Sequence, residues 1–286
     1  MTEASPTTST PGTRADRRVA VSLTFDFDAE SAWLGSFKVD TPSALSRGAY
    51  GANEGVGRIL RLLDKYQLPA TFFIPGDSAD RHPKETKDIA AAGHEIGHHG
   101  YCHEPPPGLT LEQEREMIER GIDALQRQVG VTPRGYRSPS WELSHNTFAL
   151  LAEHGIEYDA SQLAADRPYW VHDKGVKTDI VEIPGAWELT DSSLFMFAFS
   201  PVYLRGLAAP SHAYELWQGD FDGMYAENSD AAYVLTMHPQ IIGRHHRMQL
   251  LERLIQHILE HDGVWFAQMG DIADDFRARE AAATAG

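Results

Sequence analysis

Residues 19–28 read VAVSLTFDFD. Large apolar residues alternate there with small or polar ones, and β-favouring types dominate, so the stretch predicts a first strand. Residues two apart in a strand face the same side. Asp26 and Asp28, at its C-terminal end, therefore point into one space. Two carboxylates so placed need a cation or a proton between them, although a D-x-D pair taken alone is equally a turn or a helix-capping pair.

Outward from this strand, residues 54–66 place Val56, Ile59, Leu60 and Leu63 on one helical face. The run ATFFIP at 70–75 predicts a buried strand, 83–92 a helix that Gly93 stops, and 94–99 a third strand. Thr110 followed by Gln113 is a capping-box pattern. It opens a helix whose apolar face carries Leu111, Ile118, Ile122, Leu125 and Val129. Residues 133–138 predict a short strand. Ser144 is the expected N-cap of a helix that carries Phe148 and Leu151 and ends at Gly155. Strands follow at 156–159, 180–184 and 232–237, then a helix with Met248, Leu251, Leu254, Ile255 and Ile258, and a last strand at 264–267. Residues 185–230, rich in aromatics and proline, show no clear period. The segment 29–49 is expected to be a long loop covering the site, with Gly35 and Gly48 as flexible points. Strands alternating with helices argue for a parallel sheet with helices outside it. Seven or eight such units suggest a (β/α) barrel, although periodicity alone does not separate a barrel from an open doubly wound sheet.

The chain has 286 residues and a formal net charge of −16, from 41 acidic against 25 basic residues. Such a surface repels nucleic acid and anionic membrane, so neither is an expected partner. No stretch is long and apolar enough for a transmembrane helix. The single cysteine, Cys102, excludes an intramolecular disulfide and fits a reducing compartment; it is read as a packing residue. The start, MTEASPTTSTPGTRADRR, lacks the apolar run of a secretory signal. The expectation is a cytoplasmic protein with a disordered tail over 1–17, a single domain over 18–278 and a flexible tail over 279–286.

Three further motifs sit just past predicted strands, the end at which sites assemble in parallel α/β folds. His99 and His103, in HHGYCHE, have a spacing that can bring two imidazoles onto one face of a helical turn, as zinc sites use. His98 points away if the strand reaches it. Arg137, in GYRSPSW, is either a surface arginine or a clamp on a carboxylate. His238, in VLTMHP, is either a satisfied core histidine or part of the same site.

TFDFD, GHEIGHHGYCH, YRSPSW and LTMHP, in that order, resemble the motifs of the polysaccharide deacetylase family, the NodB-homology fold of carbohydrate esterase family 4. The likeness runs from about residue 20 to residue 275. It implies a distorted (β/α)7 barrel. It also implies one divalent ion per chain, zinc by its donor types, on Asp28, His99 and His103. Asp26 matches the general base, Arg137 the group that orients it and His238 the general acid. Oxyanion stabilisation would come from the metal and a backbone N–H near Ser140. The sequence departs from the usual pattern in two places. Phe27 separates aspartates that are adjacent in the sugar enzymes, and Pro239 follows the final histidine where an acidic residue is usual. WLGS at 33–36 and SRG at 46–48 are similar to a branch without signal peptides, which includes peptidoglycan-deacetylase-like proteins, cyclic imidases and, more distantly, allantoinase-like enzymes. Relatives of that branch tend to form homo-tetramers, and the apolar stretch LFMFAFSPVYL at 194–204 is a candidate interface.

Glu30, Trp33, Arg47, Ser140, Trp141 and Glu142 are the residues expected to shape the substrate pocket. Three functions compete. The first is a metal-dependent hydrolase of a non-peptide C–N bond in a small cyclic imide or ureide. The second is an N-deacetylase of acetylated sugars or peptidoglycan fragments. The third is a metal- or carbohydrate-binding module without catalysis, which would need neither base, clamp nor acid.

Overall fold

The expected first strand is β1, Val19–Asp26, and the rest of the sheet is built around it. The computed structural model describes residues 17–227 and 230–285. Most of the 1–17 tail lies outside the described residues. Arg17 is described, and its guanidinium stacks on Trp265 at 3.9 Å.

The further strands are β2 (Thr71–Ile74), β3 (Glu95–His98), β4 (Gly135–Tyr136), β5 (Tyr158–Asp159), β6 (Tyr169–Asp173), β7 (Val176–Glu182), β8 (Phe197–Ala198), β9 (Leu204–Arg205), β10 (Ala231–Met237) and β11 (Val264–Phe266). The main sheet runs in the order β10-β1-β2-β3-β4-β5-β7-β6, with β11 paired to the lower part of β1. From β10 to β7 every neighbouring pair is parallel, and only β6 runs antiparallel, against β7. The distorted (β/α)7 barrel is thus present as a curled sheet in which seven parallel strands follow one another and β11 adds an eighth beside β1. Its two ends are not joined by a ladder among the described residues; a single parallel bridge, Thr190 to Thr236, reaches across beside β10.

The helices are α1 (Pro42–Tyr50), α2 (Val56–Tyr66), α3 (Gly76–Arg81), α4 (Pro83–Ala91), α5 (Leu111–Val129), α6 (Thr147–Glu153), α7 (Asp191–Phe195), α8 (Pro210–Glu227), α9 (Pro239–Ile242), α10 (His245–Leu259) and α11 (Met269–Ala285). The alternation in β1 sorts its residues between two environments. Val21, Leu23, Phe25 and Phe27 pack with Val56, Ile59 and Leu63 of α2 and Leu251 and Leu254 of α10. Each such side chain stabilises the fold by about 1.5–3 kcal/mol. The other face is small and polar: the hydroxyl of Ser22 donates to the carbonyl of Ala267 and that of Thr24 to the carbonyl of Leu235. The inner face thus runs from alanine through serine and threonine to the two aspartates at the top.

Capping explains α5. The Thr110 side chain accepts from the Gln113 N–H, the Gln113 side chain accepts from the Thr110 N–H, and Gly130 ends the helix at φ 69°. Leu111, expected on its buried face, is exposed, because it falls in the first turn, beyond the reach of the sheet. Ser144 is not the cap of α6. That helix begins after Asn146, and the Ser144 hydroxyl accepts the Asn146 N–H instead. The expected covering loop at 29–49 is largely helical, with a π-helical turn at Ala32–Ser36 followed by α1. Gly35 there is a point of close approach and not a hinge, since a Cβ on it would lie 1.5 Å from the Cys102 carbonyl oxygen. The unassigned segment 185–230 holds α7, the β8–β9 hairpin and α8. The expected boundary at 278 falls inside α11, which continues to Ala285. No helix among the described residues is long and apolar enough to cross a membrane.

Candidate active site

β1, β3, β4 and β10 deliver their C-terminal ends to one place. Asp26 closes β1, and the Phe27 N–H still bonds to the Phe73 carbonyl at 2.8 Å, which keeps the chain extended so that Asp28 follows Asp26 to the same side. Both carboxylates are buried.

His99 and His103 are not on a helical turn. They flank a loop in which Gly100 has φ 71° and His103 itself φ 56°. The loop holds because the buried His98 ring bridges it. Its Nε2–H donates to the Ile118 carbonyl at 2.9 Å and its Nδ1 accepts the Gly100 N–H at 3.0 Å. The two following imidazoles meet edge to face at 4.9 Å.

Hydrogen bonds set the tautomer of each ring. His99 Nδ1–H donates to the Arg137 carbonyl at 2.6 Å, because a carbonyl can only accept. The Ser36 hydroxyl spends its one hydrogen on the His103 carbonyl, so the 2.6 Å contact to His103 Nδ1 is donated by the ring. In both residues Nε2 is left with its lone pair, and burial keeps it free of a proton. His99 is pushed down to about 4 and His103 well below its ordinary range. The two Nε2 atoms stand 3.5 and 3.7 Å from Asp28 Oδ1, which is buried without a hydrogen-bond partner. Burial pushes Asp28 up to about 7; the charge of His238 opposes this and that of Asp26 adds to it.

Two lone pairs and an orphaned carboxylate oxygen converging on one point fit a cation. Their separations approach the roughly 3.4 Å edge of a tetrahedron with bonds of about 2.1 Å. Asp28, His99 and His103 form a candidate metal site. Each candidate ligand is oriented from behind, as metal-ligating side chains generally are: His99 by the Arg137 backbone, His103 by Ser36, and Asp28 by Gln240, whose Nε2 donates to Oδ2 at 3.3 Å.

Asp26 is handled differently. Arg137, fully buried, donates from Nη1 to Asp26 Oδ1 at 2.7 Å and to Thr24 Oγ1 at 2.9 Å, with its plane 4.2 Å from the Phe73 ring. Burial alone would raise Asp26, but the charges of Arg137, His99 and His238 outweigh it and hold the carboxyl below its usual range. His238 Nε2 lies 3.9 Å from Asp26 Oδ2 and 3.7 Å from Asp28 Oδ2. Behind it, Nδ1–H donates to Asp191 Oδ1 at 2.6 Å, and the His238 N–H donates to Asp191 Oδ2 at 3.0 Å. Burial would lower this imidazole, yet Asp191, then Asp28 and Asp26, lift it to about 9. At neutral pH, one ionised carboxylate and one imidazolium therefore face each other across the candidate metal site.

These groups open into a cavity of about 870 Å³. Trp33, Arg47, Ser140 and Trp141 line it as expected. Ser140 and Trp141 have φ of 58° and 55°, a left-handed backbone that turns the RSPSW loop over the opening. Trp141 stacks against Trp187 at 4.7 Å, Arg47 lies 4.8 Å over the Trp33 ring and donates to the Phe197 carbonyl, and Val202 of the β8–β9 hairpin with Leu207 just past it completes the rim. Two expected wall residues are elsewhere. Glu30 is turned to the His82 ring, 2.6 Å away, and Glu142 is exposed outside the cavity. A carboxylate is better solvated or paired than packed against an aromatic wall. Cys102 stands outside the cavity lining, and burial with the charges of Asp77 and Glu104 pushes its thiol up to about 12, so it is no nucleophile.

Residues not anticipated are Asp191, Gln240, Ser36 as an orienting group, and Arg244 and Arg247 on the cavity wall. Gln240 and Ser36 lie in or beside motifs already visible, MHPQ and WLGS. Asp191 stands in an aperiodic segment, 47 residues from its partner.

The sequence profile of the polysaccharide deacetylase family matches residues 14–158. The chain is 35% identical to a curated peptidoglycan deacetylase of Helicobacter pylori, over 92% of this chain and 98% of that one. Among solved structures, a Mycobacterium smegmatis protein assigned to the polysaccharide deacetylases superposes with a TM-score of 0.87 at 39% identity, over 93% of this chain and 92% of that one. Puue allantoinase superposes with a TM-score of 0.79 at 28% identity, over 94% and 93% respectively.

Proposed function

This chain belongs to the polysaccharide deacetylase family, and we propose that it is a metal-dependent hydrolase that opens the carbon–nitrogen bond of a small cyclic imide or ureide. The observation that carries the chemistry is the opposition of Asp26 and His238 across the Asp28–His99–His103 cluster. Asp28, His99 and His103 would hold one divalent ion, and two imidazoles with a carboxylate suit zinc. That ion supplies Lewis acidity to the scissile carbonyl and to water.

The chain's own residues carry the protons. Asp26 has Oδ1 committed to Arg137 and Oδ2 directed at His99 and His238. Kept ionised, Oδ2 takes the proton of the attacking water. His238 Nε2 gives its proton to the departing nitrogen, which an amide requires because its anion is a very poor leaving group. Asp191 keeps His238 charged and in orientation. Arg137 fixes the carboxylate without competing for the proton. A backbone N–H near Ser140, in the RSPSW loop that lines the cavity, would stabilise the charge that develops on the carbonyl oxygen.

The aromatic-walled cavity, rimmed by the RSPSW loop and the β8–β9 hairpin, supports a small substrate, since a polymer needs a groove that several units enter. Arg47, Arg244 and Arg247 offer donors to the carbonyl oxygens in which imides and ureides are rich. The likeness to an allantoinase, whose named substrate is a ureide, points the same way. The second reading, N-deacetylation of an acetylated sugar, is favoured by the Helicobacter pylori relative. Metal-loaded enzyme offered succinimide, hydantoin, allantoin and N-acetylglucosamine oligomers is expected to open a ring at least ~10-fold more efficiently than it releases acetate, the scale of discrimination a shaped pocket supplies. Acetate release from the oligomers without imide turnover overturns the first reading in favour of the second.

Asp191→Asn is expected to move the high-pH limb of kcat/KM. The parent loses activity as pH rises through about 9, where His238 gives up its proton. Without the Asp191 charge, burial dominates and the limb shifts to lower pH, with the metal content unchanged. A limb that stays in place would mean that Asp191 does not set the proton on His238.

A homo-tetramer is part of the same proposal. The β8–β9 hairpin exposes Phe199, Val202 and Tyr203 at 82%, 54% and 64%, an apolar patch suited to a partner subunit. Light scattering should return a mass about four times 31.8 kDa; a value near the single-chain mass removes the idea.

A further inference from the structure

A second set of the same three donor types lies at the opposite pole of the sheet. Asp222 stands near the end of α8, His257 in the last turn of α10, and His261 just past that turn. α8 leads into β10 and the 261–263 turn into β11, so the cluster sits at the N-terminal ends of the strands, away from Asp28. One ligand atom from each residue lies within 4.8 Å of the others. His257 Nε2 is 2.7 Å and His261 Nε2 4.0 Å from Asp222 Oδ1.

The cluster is built as metal sites are, with two of its three donors held from behind by hydrogen bonds. His261 Nδ1–H donates to the His257 carbonyl at 2.9 Å, which leaves Nε2 with its lone pair toward Asp222. Gln218 Nε2 donates to Asp222 Oδ2 at 3.2 Å, leaving Oδ1 directed at the two rings. Both imidazoles pack on the Phe221 ring near right angles, at 5.9 and 5.1 Å, and Tyr225 closes on His261 at 4.7 Å. The negative end of the α10 dipole favours a cation here. The three side chains are 42%, 19% and 24% exposed, so an ion can enter from solvent.

We propose that Asp222, His257 and His261 form a second divalent transition-metal site, a clamp between α8 and α10 that takes zinc or a similar imidazole-seeking ion. On binding, the proton that His257 Nε2 shares with Asp222 leaves for Nδ1 or for solvent, and the freed lone pair joins those of His261 and the carboxylate. Calcium and magnesium are disfavoured because two of the three donors are nitrogen. The site is more open than the buried one at Asp28, so its ion exchanges more readily.

The test is a count of ions and does not depend on turnover. Untagged protein is stripped with a chelator and equilibrated with excess Zn2+ under dialysis, and zinc per chain is measured. The parent should hold two ions, and Asp222→Asn and His261→Gln one each. His103→Ala should keep one, and that ion should raise its melting temperature, a rise absent from His103→Ala/His261→Gln. Two half-exposed substitutions guard against a fold defect in either. Variants Asp222→Asn and His261→Gln that hold as many ions as the parent overturn the proposal and leave the cluster as an ion pair between helices.

Discussion

Asp26→Asn is expected to bind its divalent ion as the parent does and to lose about 10²- to 10⁴-fold in kcat, the range that a positioned general base contributes. Asparagine keeps the shape of the side chain and an acceptor for Arg137 Nη1, which also retains Thr24. It removes the one group at the site that combines ionisation at neutral pH with an oxygen not committed to a cation ligand. Asp28 cannot substitute, because its free oxygen faces His99 and His103. Removing the charge leaves Arg137 buried against a neutral partner, which is costly, so the melting temperature must be followed alongside. Turnover within a few-fold of the parent, in a folded and metal-loaded variant, would sink the role given to Asp26. So would loss of the metal, which would make Asp26 a ligand.

His103→Ala is expected to lose most of its catalytic metal and to fall to background activity. Loss of a group that merely orients a ligand costs about 10–100-fold in affinity or activity, and removal of one of only three ligands should exceed that. Position 103 is already left-handed at φ 56°, so alanine adds no new class of backbone strain, and the effect reads on the missing imidazole. Elemental analysis after dialysis at low zinc, paired with activity on the best substrate of the panel, checks it. Full occupancy with full activity would show that His103 is not a ligand. In the parent, chelation should abolish turnover and added divalent ion restore it.

Local pattern is legible wherever the physics is local. The two-residue period of VAVSLTFDFD places five side chains under the helices and two carboxylates at the top of the inner face, and the structure keeps both assignments. The capping box at Thr110 acts within four residues and is found as read. Asp26, Asp28, His99, Arg137 and His238 were found because parallel strands deliver their C-terminal ends to one rim, so each motif only had to be placed after its own strand. The spacing of His99 and His103 suggested a shared face but not its cause. The spacing fits a helical turn, and a loop pinned by His98 brings the rings together instead.

What the sequence by itself determined, then, is the parallel α/β architecture, the strand-end clustering and the identity of the groups that face one another, because periodicity and motif order act along the chain. Tertiary structure alone decided the rest. Asp191 meets His238 across 47 residues from a segment with no period. Ser36 sets the tautomer of His103 across 67 residues. Glu30 and Glu142 turn out of a cavity whose aromatic walls would strand their charge. Whether the sheet closes depended on how β10 and the segment after β7 met, and they meet at one bridge. Such contacts depend on how distant segments share limited buried space and on the cost of leaving a buried polar group unpaired, and neither quantity is written into any short stretch of the chain.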